Sequence, residues 1–144
     1  MPTIVMNTLS GSVTEYDWTI TAITPTHGGS EAGLHLMGGD TDAGEPINAS
    51  ITTGKLLWGD TIRKFVAFVY FAMLGTGMGR ARVVTRSNTY AYEFPVRADG
   101  VSRAMTGRGI RENYLAFGFD NIDGADFRID SMEPKTATSS NRRV

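Results

Sequence analysis

Two histidines and a few nearby acids are the residues of this chain whose types best suit a metal ion. His27 and His35 are the only histidines, and Asp40 and Asp42 follow them closely. Imidazole and carboxylate groups bind zinc, but this spacing matches no closed zinc pattern and the chain has no cysteine. We therefore expect no metal site here, only two loop or surface histidines.

Calcium is the second chemistry to consider, because acids gather at two turns. The segment 40–45, Asp-Thr-Asp-Ala-Gly-Glu, begins like an oxygen-rich calcium loop but lacks the further acids and the terminal glutamate. Asp120, Asp123 and Asp126 are similarly close together. Aspartate and glycine are common in tight turns without any ion, so the sequence favours ordinary turns at both places.

Catalytic motifs are missing from the sequence. The segment 75–79, Gly-Thr-Gly-Met-Gly, shares glycines with dinucleotide-binding loops, but its third glycine comes too early. The next residues predict a strand rather than a helix whose N-terminus would receive a phosphate, so we expect a β-turn. There is no P-loop lysine, no nucleophile elbow and no pair of acids at helical spacing. We predict a protein that is not an enzyme and needs no cofactor.

Arginine and tryptophan suggest binding to other chains instead. Eleven of the fourteen basic residues are arginine, which suits bidentate contacts with carboxylates and is enriched at interfaces. Trp18 lies in an apolar pattern typical of core, whereas we expect Trp58 to be exposed. The predicted interface residues are Arg97, Arg103, Arg108, Arg111, Arg142, Arg143 and Trp58. Solvated loop charges, or a sugar-stacking platform around the tryptophans, are the alternatives.

The charges are divided unevenly along the chain. Residues 1–62 hold seven acids and one base, and residues 63–144 hold eight acids and thirteen bases, for a net charge of −1 overall. An acidic patch on one copy could therefore meet a basic patch on another, and we expect a homodimer. A nucleic-acid-binding protein would usually be net basic, so no direct nucleic-acid partner is expected.

The elements that must carry these residues are strands. Period-two alternation predicts one half-buried strand over 13–23, and Ile47, Ala49 and Ile51 repeat the pattern. The continuous apolar run 65–74 predicts a central strand buried on both faces. Segments 81–86 and 89–96 predict a hairpin. The segments around Phe117 and 127–129 predict two paired strands with their apolar residues on one core face.

The remaining segments are poor in pattern. We interpret 27–46 as a long loop with at most one short strand, and 135–144 as a polar, basic tail. With 144 residues and 17 glycines, the chain predicts an all-β, single-domain β-sandwich or jelly roll of about eight or nine short strands, spanning residues 1–134. Neither a signal peptide nor an apolar run long enough to cross a bilayer is present, so no membrane partner is expected.

Four blocks of sequence resemble virion structural proteins of tailed bacteriophages. They are Ile-Thr-Thr-Gly-Lys-Leu-Leu-Trp-Gly-Asp-Thr-Ile-Arg-Lys at 51–64, Thr-Gly-Arg-Gly-Ile-Arg at 106–111, Asn-Ile-Asp-Gly-Ala-Asp-Phe-Arg-Ile-Asp at 121–130 and Arg-Arg-Val at 142–144. In a chain of this size they are similar to the capsid cement (decoration) proteins of short-tailed phages of the Bordetella podovirus kind. The resemblance covers roughly residues 47–144.

The resemblance implies a β-sandwich or jelly roll, no cofactor, and the major capsid protein as partner. It implies a location on the outer capsid surface after synthesis in the host bacterial cytoplasm. A tail or neck component is the alternative within phage structure, because similar segments end larger tail-associated proteins. A carbohydrate-binding β-sandwich that aids adsorption is the alternative from another class. Residues 1–46 carry no part of the resemblance.

Overall fold

The computed structural model describes residues 2–16, 18–39, 41–42 and 44–138. All regular structure in these residues is β, in fifteen strands. The chain forms two compact units, Met1–Gly39 and Asp40–Val144, where the sequence predicts one domain over 1–134. The described residues include no helix long and apolar enough to cross a bilayer.

The N-terminal unit contains a hairpin and a small three-stranded sheet. Its strands are β1 Thr3–Met6, β2 Val13–Tyr16, β3 Ala22–Ile23, β4 His27–Ser30 and β5 Gly33–Leu36. β1 pairs with β2, and β4 lies between β3 and β5, all antiparallel. The Asn7 side chain closes the turn after β1, because its Oδ1 accepts the backbone N–H groups of Leu9 and Ser10 at 2.9 and 3.2 Å.

The single strand predicted over 13–23 is wrong. β2 ends at Tyr16 and β3 begins at Ala22, and they pair with different neighbours. Between them the Thr3 hydroxyl donates to the Trp18 carbonyl at 3.0 Å and accepts the Ile20 amide N–H at 2.9 Å. Side-chain hydrogen bonds thus replace strand pairing there. The alternation of apolar residues continues through 13–23 and so does not indicate that β2 and β3 pair with different strands.

The long loop predicted over 27–46 is also wrong. The segment contains β4, β5, β6 Thr41–Asp42 and β7 Glu45–Pro46, with β4 paired to β5 and β6 to β7. Gly28 shows why glycine is needed within β4: a Cβ there would lie 3.1 Å from both the Trp18 ring and the Met37 sulfur. The glycine that favoured a loop instead lets the strand pass close to a large aromatic ring.

The C-terminal unit has two larger antiparallel sheets, consistent with a β-sandwich. Its strands are β8 Ser50–Thr52, β9 Lys64–Gly75, β10 Met78–Val84, β11 Thr89–Pro95, β12 Val101–Met105, β13 Arg111–Glu112, β14 Ala116–Asn121 and β15 Phe127–Thr138. One sheet has the order β11-β10-β14-β8. In the other, β9 pairs along its length with β15, and along two successive stretches with β12 and β13. The eight or nine strands expected for the whole chain are thus exceeded.

The core is built from both sheets of this unit. Phe71 of β9 stacks on Phe94 of β11 at 5.0 Å between ring centroids, and Phe119 of β14 packs edge-on against Phe71 at 5.6 Å. Phe117 is fully buried, as the sequence predicts. The buried apolar residues of the core cluster are Val66, Val69, Phe71, Met73, Ala81, Val83, Phe94, Ala104, Ile110, Leu115, Phe117 and Phe119.

β9 confirms the strand predicted over 65–74, but the expectation of burial on both faces is wrong. Val66, Val69, Phe71 and Met73 are buried, while the side chains that alternate with them are half-buried or, at Leu74, half-exposed. Both faces of a strand are buried only when another layer of structure packs against each side of its sheet. Here the second sheet covers one face, which leaves the other accessible.

The pairing predicted between β14 and β15 is wrong as well. β14 pairs with β10 and β8, whereas β15 pairs with β9 in the other sheet. Phe119 and Phe127 nevertheless meet, with ring centroids 4.8 Å apart, because they approach from opposite sheets. The turn at Asp123 and Gly124, both with positive φ (53° and 69°), carries the chain across the core.

Three further predictions can be compared with the strands. The hairpin of β10 and β11 is confirmed. Most of the β-turn expected over 75–79 is strand instead, because Gly75 ends β9 and Met78 begins β10, with Gly77 at φ 74° in the short connection between them. The buried face expected at 47–51 is wrong, since Ile47 and Ile51 are exposed. β15 continues to Thr138, so residues 135–138 of the predicted tail are strand. Residues 139–144, including Arg142 and Arg143, lie outside the described residues.

Candidate functional site

The accessible side of the sheet formed by β12, β9 and β15 is the most distinctive surface of the C-terminal unit. The antiparallel register arranges its side chains in three rows across the strands. We call this surface the outer face. Its rows are Val101–Ala72–Ser131, Arg103–Tyr70–Glu133 and Met105–Phe68–Lys135, with Leu74 beyond the first row.

The outer face combines exposed apolar side chains with charged side chains that contact their neighbours. Val101 is 53% exposed and Met105 64% exposed. The Arg103 guanidinium lies over the Phe68 ring, 5.0 Å from its centroid, in cation–π geometry. Lys135 donates a hydrogen bond to the Glu133 carboxylate, which raises the pKa of Lys135. A shallow depression of about 220 Å³ extends from the first row to Lys135 of the third, lined by Tyr70, Ala72, Val101, Ser131, Glu133 and Lys135.

The predicted interface arginines do not form one cluster. Arg103 is on the outer face, and Arg111 pairs with Phe65 further along β9, so it projects from the same side of the sheet. Arg97 and Arg108 are exposed in the loops on either side of β12. Of the arginines within residues 97–111, the fold therefore brings two to one sheet face and leaves two in loops.

Trp58 is not the exposed platform expected from the sequence. Its indole N–H donates to the Leu115 carbonyl at 2.8 Å, and its ring packs edge-on against Phe117 at 5.1 Å between centroids. It is only half-buried, but it adopts a positive φ of 52°, which is unusual for a bulky residue. The ring and its N–H are thus used within the C-terminal unit. Trp18 is half-buried against His35, at 4.8 Å.

Arg82 is a structural centre that the sequence reasoning missed. It projects from β10 across β14, and its Nε lies 2.9 Å from Asp120 Oδ2. Its guanidinium also donates to the hydroxyls of Ser50 and Thr52 on β8, both at 2.7 Å. Gly118 lies beneath it, and a Cβ there would come within 3.1 Å of the guanidinium carbon. One side chain therefore holds three strands together, and Asp120 serves this ion pair.

Lys64 is the second charged residue that the sequence reasoning did not identify. It begins β9 and is only 3% exposed. Its ammonium donates to the Asp60 carboxylate at 2.8 Å and to the carbonyls of Asp60 and Ile62 at 2.6 and 3.0 Å. The hydrogen bond from Lys64, and next that from the Ile62 amide, lower the pKa of Asp60. Lys64 thus fastens the loop that enters β9.

The N-terminal unit presents large apolar side chains to solvent. Ile4 and Met6 of β1 lie opposite Glu15 and Val13 of β2, and all three apolar members are more than half exposed. Leu9, in the turn between them, is 98% exposed. Among residues 2–16 and 18–39 only Gly28 is buried. We call Ile4, Met6, Leu9, Val13, Leu34 and Leu36 the N-terminal apolar surface.

The two histidines considered for metal binding lie close to neighbouring hydroxyl groups. His27 Nδ1 is 3.0 Å from the Thr26 hydroxyl, and His35 Nε2 is 3.2 Å from the Ser30 hydroxyl. Within the described ranges, no group of three or more histidine, aspartate or glutamate residues is arranged to hold a metal ion. Asp40, and the side chain of Asp42, lie outside what the structure describes.

Comparison of the chain with protein-family models, with curated proteins and with solved structures finds no match. The surfaces and their chemistry are therefore the basis for any inference about function.

Proposed function

We propose that this protein is a non-enzymatic structural protein of a phage virion, a capsid cement protein that binds the major capsid protein on the outer surface of the shell. The observation that carries the proposal is the N-terminal apolar surface. The described part of this unit, residues 2–16 and 18–39, has no buried apolar side chain. A unit of about forty residues built in this way is expected to need contact with another chain for stability. A decoration protein would meet this requirement, because the major capsid protein of the shell would cover the exposed apolar side chains.

Several features of the C-terminal unit support the same proposal. Aromatic side chains fill its core, Arg82 links three of its strands, and Lys64 holds the loop that precedes β9. Such a rigid body can span a seam between capsid subunits and add buried area there. A contact of about 800 Å² per partner is enough for a specific site, and repetition over a shell adds avidity. All four blocks that resemble phage virion proteins lie within residues 40–144, the range of this unit.

We also propose that the two sheets of the C-terminal unit form a jelly roll. In support, the chain passes from one sheet to the other between β8 and β9, β9 and β10, β11 and β12, β13 and β14, and β14 and β15. Repeated crossing of this kind is typical of jelly rolls. An experimental structure of the protein on its shell would test the topology directly.

Binding to shells tests the proposed function. Leu9→Glu places a charge in the N-terminal apolar surface, and we expect it to weaken binding to undecorated capsids at least tenfold in a cosedimentation assay. Ile62→Glu makes the same change at a residue of the C-terminal unit that is 53% exposed, and it serves as the matched control. Equal binding by the Leu9→Glu variant and the wild type would remove the N-terminal surface from the interface.

Copy number separates the head from the tail. Mass spectrometry of purified particles should find hundreds of copies per virion, near the number of major capsid protein subunits. A dozen or fewer would favour the tail or neck alternative.

Deleting residues 139–144, which leaves β15 intact, should weaken attachment to shells without altering the unfolding transition. Unchanged affinity would exclude Arg142 and Arg143 from the contact.

The carbohydrate-binding alternative has less support from the described residues. Trp58 uses its indole N–H and one ring edge within its own unit, and sugar-binding platforms need an accessible aromatic face. Glycan-array binding that disappears in a Trp58→Ala variant of retained fold would nevertheless favour that alternative over the capsid proposal.

A further inference from the structure

We infer that the outer face is the surface through which two copies of this chain pair, with a two-fold axis parallel to β9. The inference does not depend on the virion role, because it concerns the isolated protein. It rests on the way that charges are placed on β12 and β15, the two strands that flank β9.

The middle row of the outer face is self-complementary. Arg103 on β12 and Glu133 on β15 lie on either side of Tyr70. Consider the outer faces of two copies stacked on each other, with a two-fold axis between them that runs parallel to β9. This axis places β12 of each copy over β15 of the other, and each row lies over the same row of the second copy. Arg103 of each copy then meets Glu133 of the other, and the two Tyr70 rings face each other. The contact contains two identical ion pairs, as an isologous interface requires.

The other orientation of the axis is unfavourable. An in-plane axis perpendicular to β9 and centred on the middle row places β12 over β12, so that Arg103 faces Arg103 and Glu133 faces Glu133. Like charges directly opposite each other destabilise a contact. Of these two axes, only the parallel one brings opposite charges of this row together, with Arg103 of one copy approaching the Glu133 carboxylate that Lys135 contacts within the other copy. Both axes keep the nearly aligned strand directions of natural sandwiches, so the charges decide between them.

The flanking rows suit the same arrangement. The exposed Val101 lies over the small Ser131 of the second copy, and the exposed Met105 lies over the aliphatic part of Lys135. Phe68, already covered by its own Arg103, meets the second Phe68. Val101 and Met105, which are 53% and 64% exposed in the isolated chain, thereby lose contact with water. Burial of this apolar area provides the affinity, and the ion pairs provide the register.

The size of the face predicts a dimer of moderate strength. Three strands spaced by about 4.8 Å, over about nine residues of β9 that each rise about 3.3 Å, give a flat footprint of roughly 400 Å². Stable specific interfaces bury about 800 Å² of accessible surface per partner. We therefore expect a dimer with a dissociation constant in the micromolar range. It should form at a protein concentration of about 100 μM and dissociate on dilution.

A charge-exchange experiment tests both the surface and the axis. Arg103→Glu and Glu133→Arg each place like charges in the middle row, so each variant alone should be monomeric by sedimentation velocity. An equimolar mixture of the two variants restores opposite charges at both contacts, and it should dimerise at least tenfold more tightly than either variant. Arg97→Glu makes the same charge change in a loop outside the face and should dimerise like the wild type.

Three results would overturn the inference. A wild-type chain that remains monomeric at the highest concentration would show that the outer face does not pair with a second copy. Dimerisation of the Arg103→Glu variant with wild-type affinity would place the interface elsewhere. Failure of the mixed variants to recover would exclude the parallel two-fold axis. Loss of shell binding by Leu9→Glu, with dimerisation retained, would separate this interface from the proposed capsid contact.

Discussion

Substitution of Gly118 provides the sharpest test of how the β11-β10-β14-β8 sheet is held together. The Arg82 guanidinium crosses directly over this glycine to reach β8. A Cβ on residue 118 would lie 2.9 Å from the Ile51 carbonyl oxygen and 3.0 Å from Arg82 Nη2. Gly118→Ala therefore has to displace the guanidinium from its partners, which are Asp120, Ser50, Thr52 and the Ile51 carbonyl, or shift the neighbouring strand.

The magnitude follows from these contacts. Crowding of a packed site costs about 1–3 kcal/mol, and alanine regains about 0.5–1 kcal/mol over glycine within a strand. We expect Gly118→Ala to lower the free energy of unfolding by about 1–2 kcal/mol. Arg82→Ala alone should cost about 2 kcal/mol, because its ion pair and hydrogen bonds are charge-assisted but the Arg82 and Asp120 side chains are each 21% exposed.

The two substitutions should not be additive. Without the guanidinium, the added methyl group meets only the Ile51 carbonyl, so Gly118→Ala should cost at least about 1 kcal/mol less in the Arg82→Ala background. Urea unfolding followed by tryptophan fluorescence measures this. A Trp18→Phe background restricts the signal to Trp58, which packs on the core of the C-terminal unit.

Gly54→Ala is the matched control for this cycle. No heavy atom lies within 4 Å of a Cβ on Gly54, and its φ is not in the left-handed region. The control should therefore leave the free energy of unfolding unchanged or raise it slightly. Additive effects of Gly118→Ala and Arg82→Ala, within about 0.5 kcal/mol, would refute the role assigned to the close approach.

Three further predictions concern the same unit. Phe117→Ala should lower the free energy of unfolding by about 3–5 kcal/mol through lost burial and a cavity, and a loss below about 1 kcal/mol would contradict its position in the core. Trp58→Phe keeps the ring but removes the hydrogen bond to Leu115, and chemical denaturation should show a cost of about 1 kcal/mol. The lowered pKa of Asp60 stabilises the fold above about pH 4, and this contribution is lost as the pH falls through the folded-state pKa. Asp60→Asn should flatten the acid limb of a stability–pH profile, and an unchanged limb would exclude the Lys64 contact as its source.

In the C-terminal unit, local sequence patterns predicted β9 and the hairpin of β10 and β11, but not the partners of β14 and β15. The apolar run of β9 and the alternation in β10 and β11 are properties of a few consecutive residues, and these elements are confirmed. β14 and β15 were expected to pair because a short turn joins them. The length of β15 allows pairing along the whole of β9, and this non-local ladder decides the topology. Such a preference cannot be seen in either segment alone.

The charged residues show a similar division. Arg103 was identified because it lies in a conspicuous run of arginines, but its position opposite Glu133 depends on the register of three strands. Arg82 and Lys64 were missed because each sits within or beside an apolar strand and finds its partners only after folding. Gly118 was the one available signal, as a glycine within a strand often marks close approach of another group.

The position of β9 in the order of pairing has a consequence for biosynthesis. Among the described strands, all those that pair with β9 follow it in the chain, and the first, β12, begins at Val101. During translation the apolar run 65–74 therefore emerges well before any of its partners exists. Such segments, rich in aromatic and β-branched residues and free of charge, aggregate when exposed. Expression yield should thus depend on chaperones that hold this strand until the chain beyond residue 101 has been made.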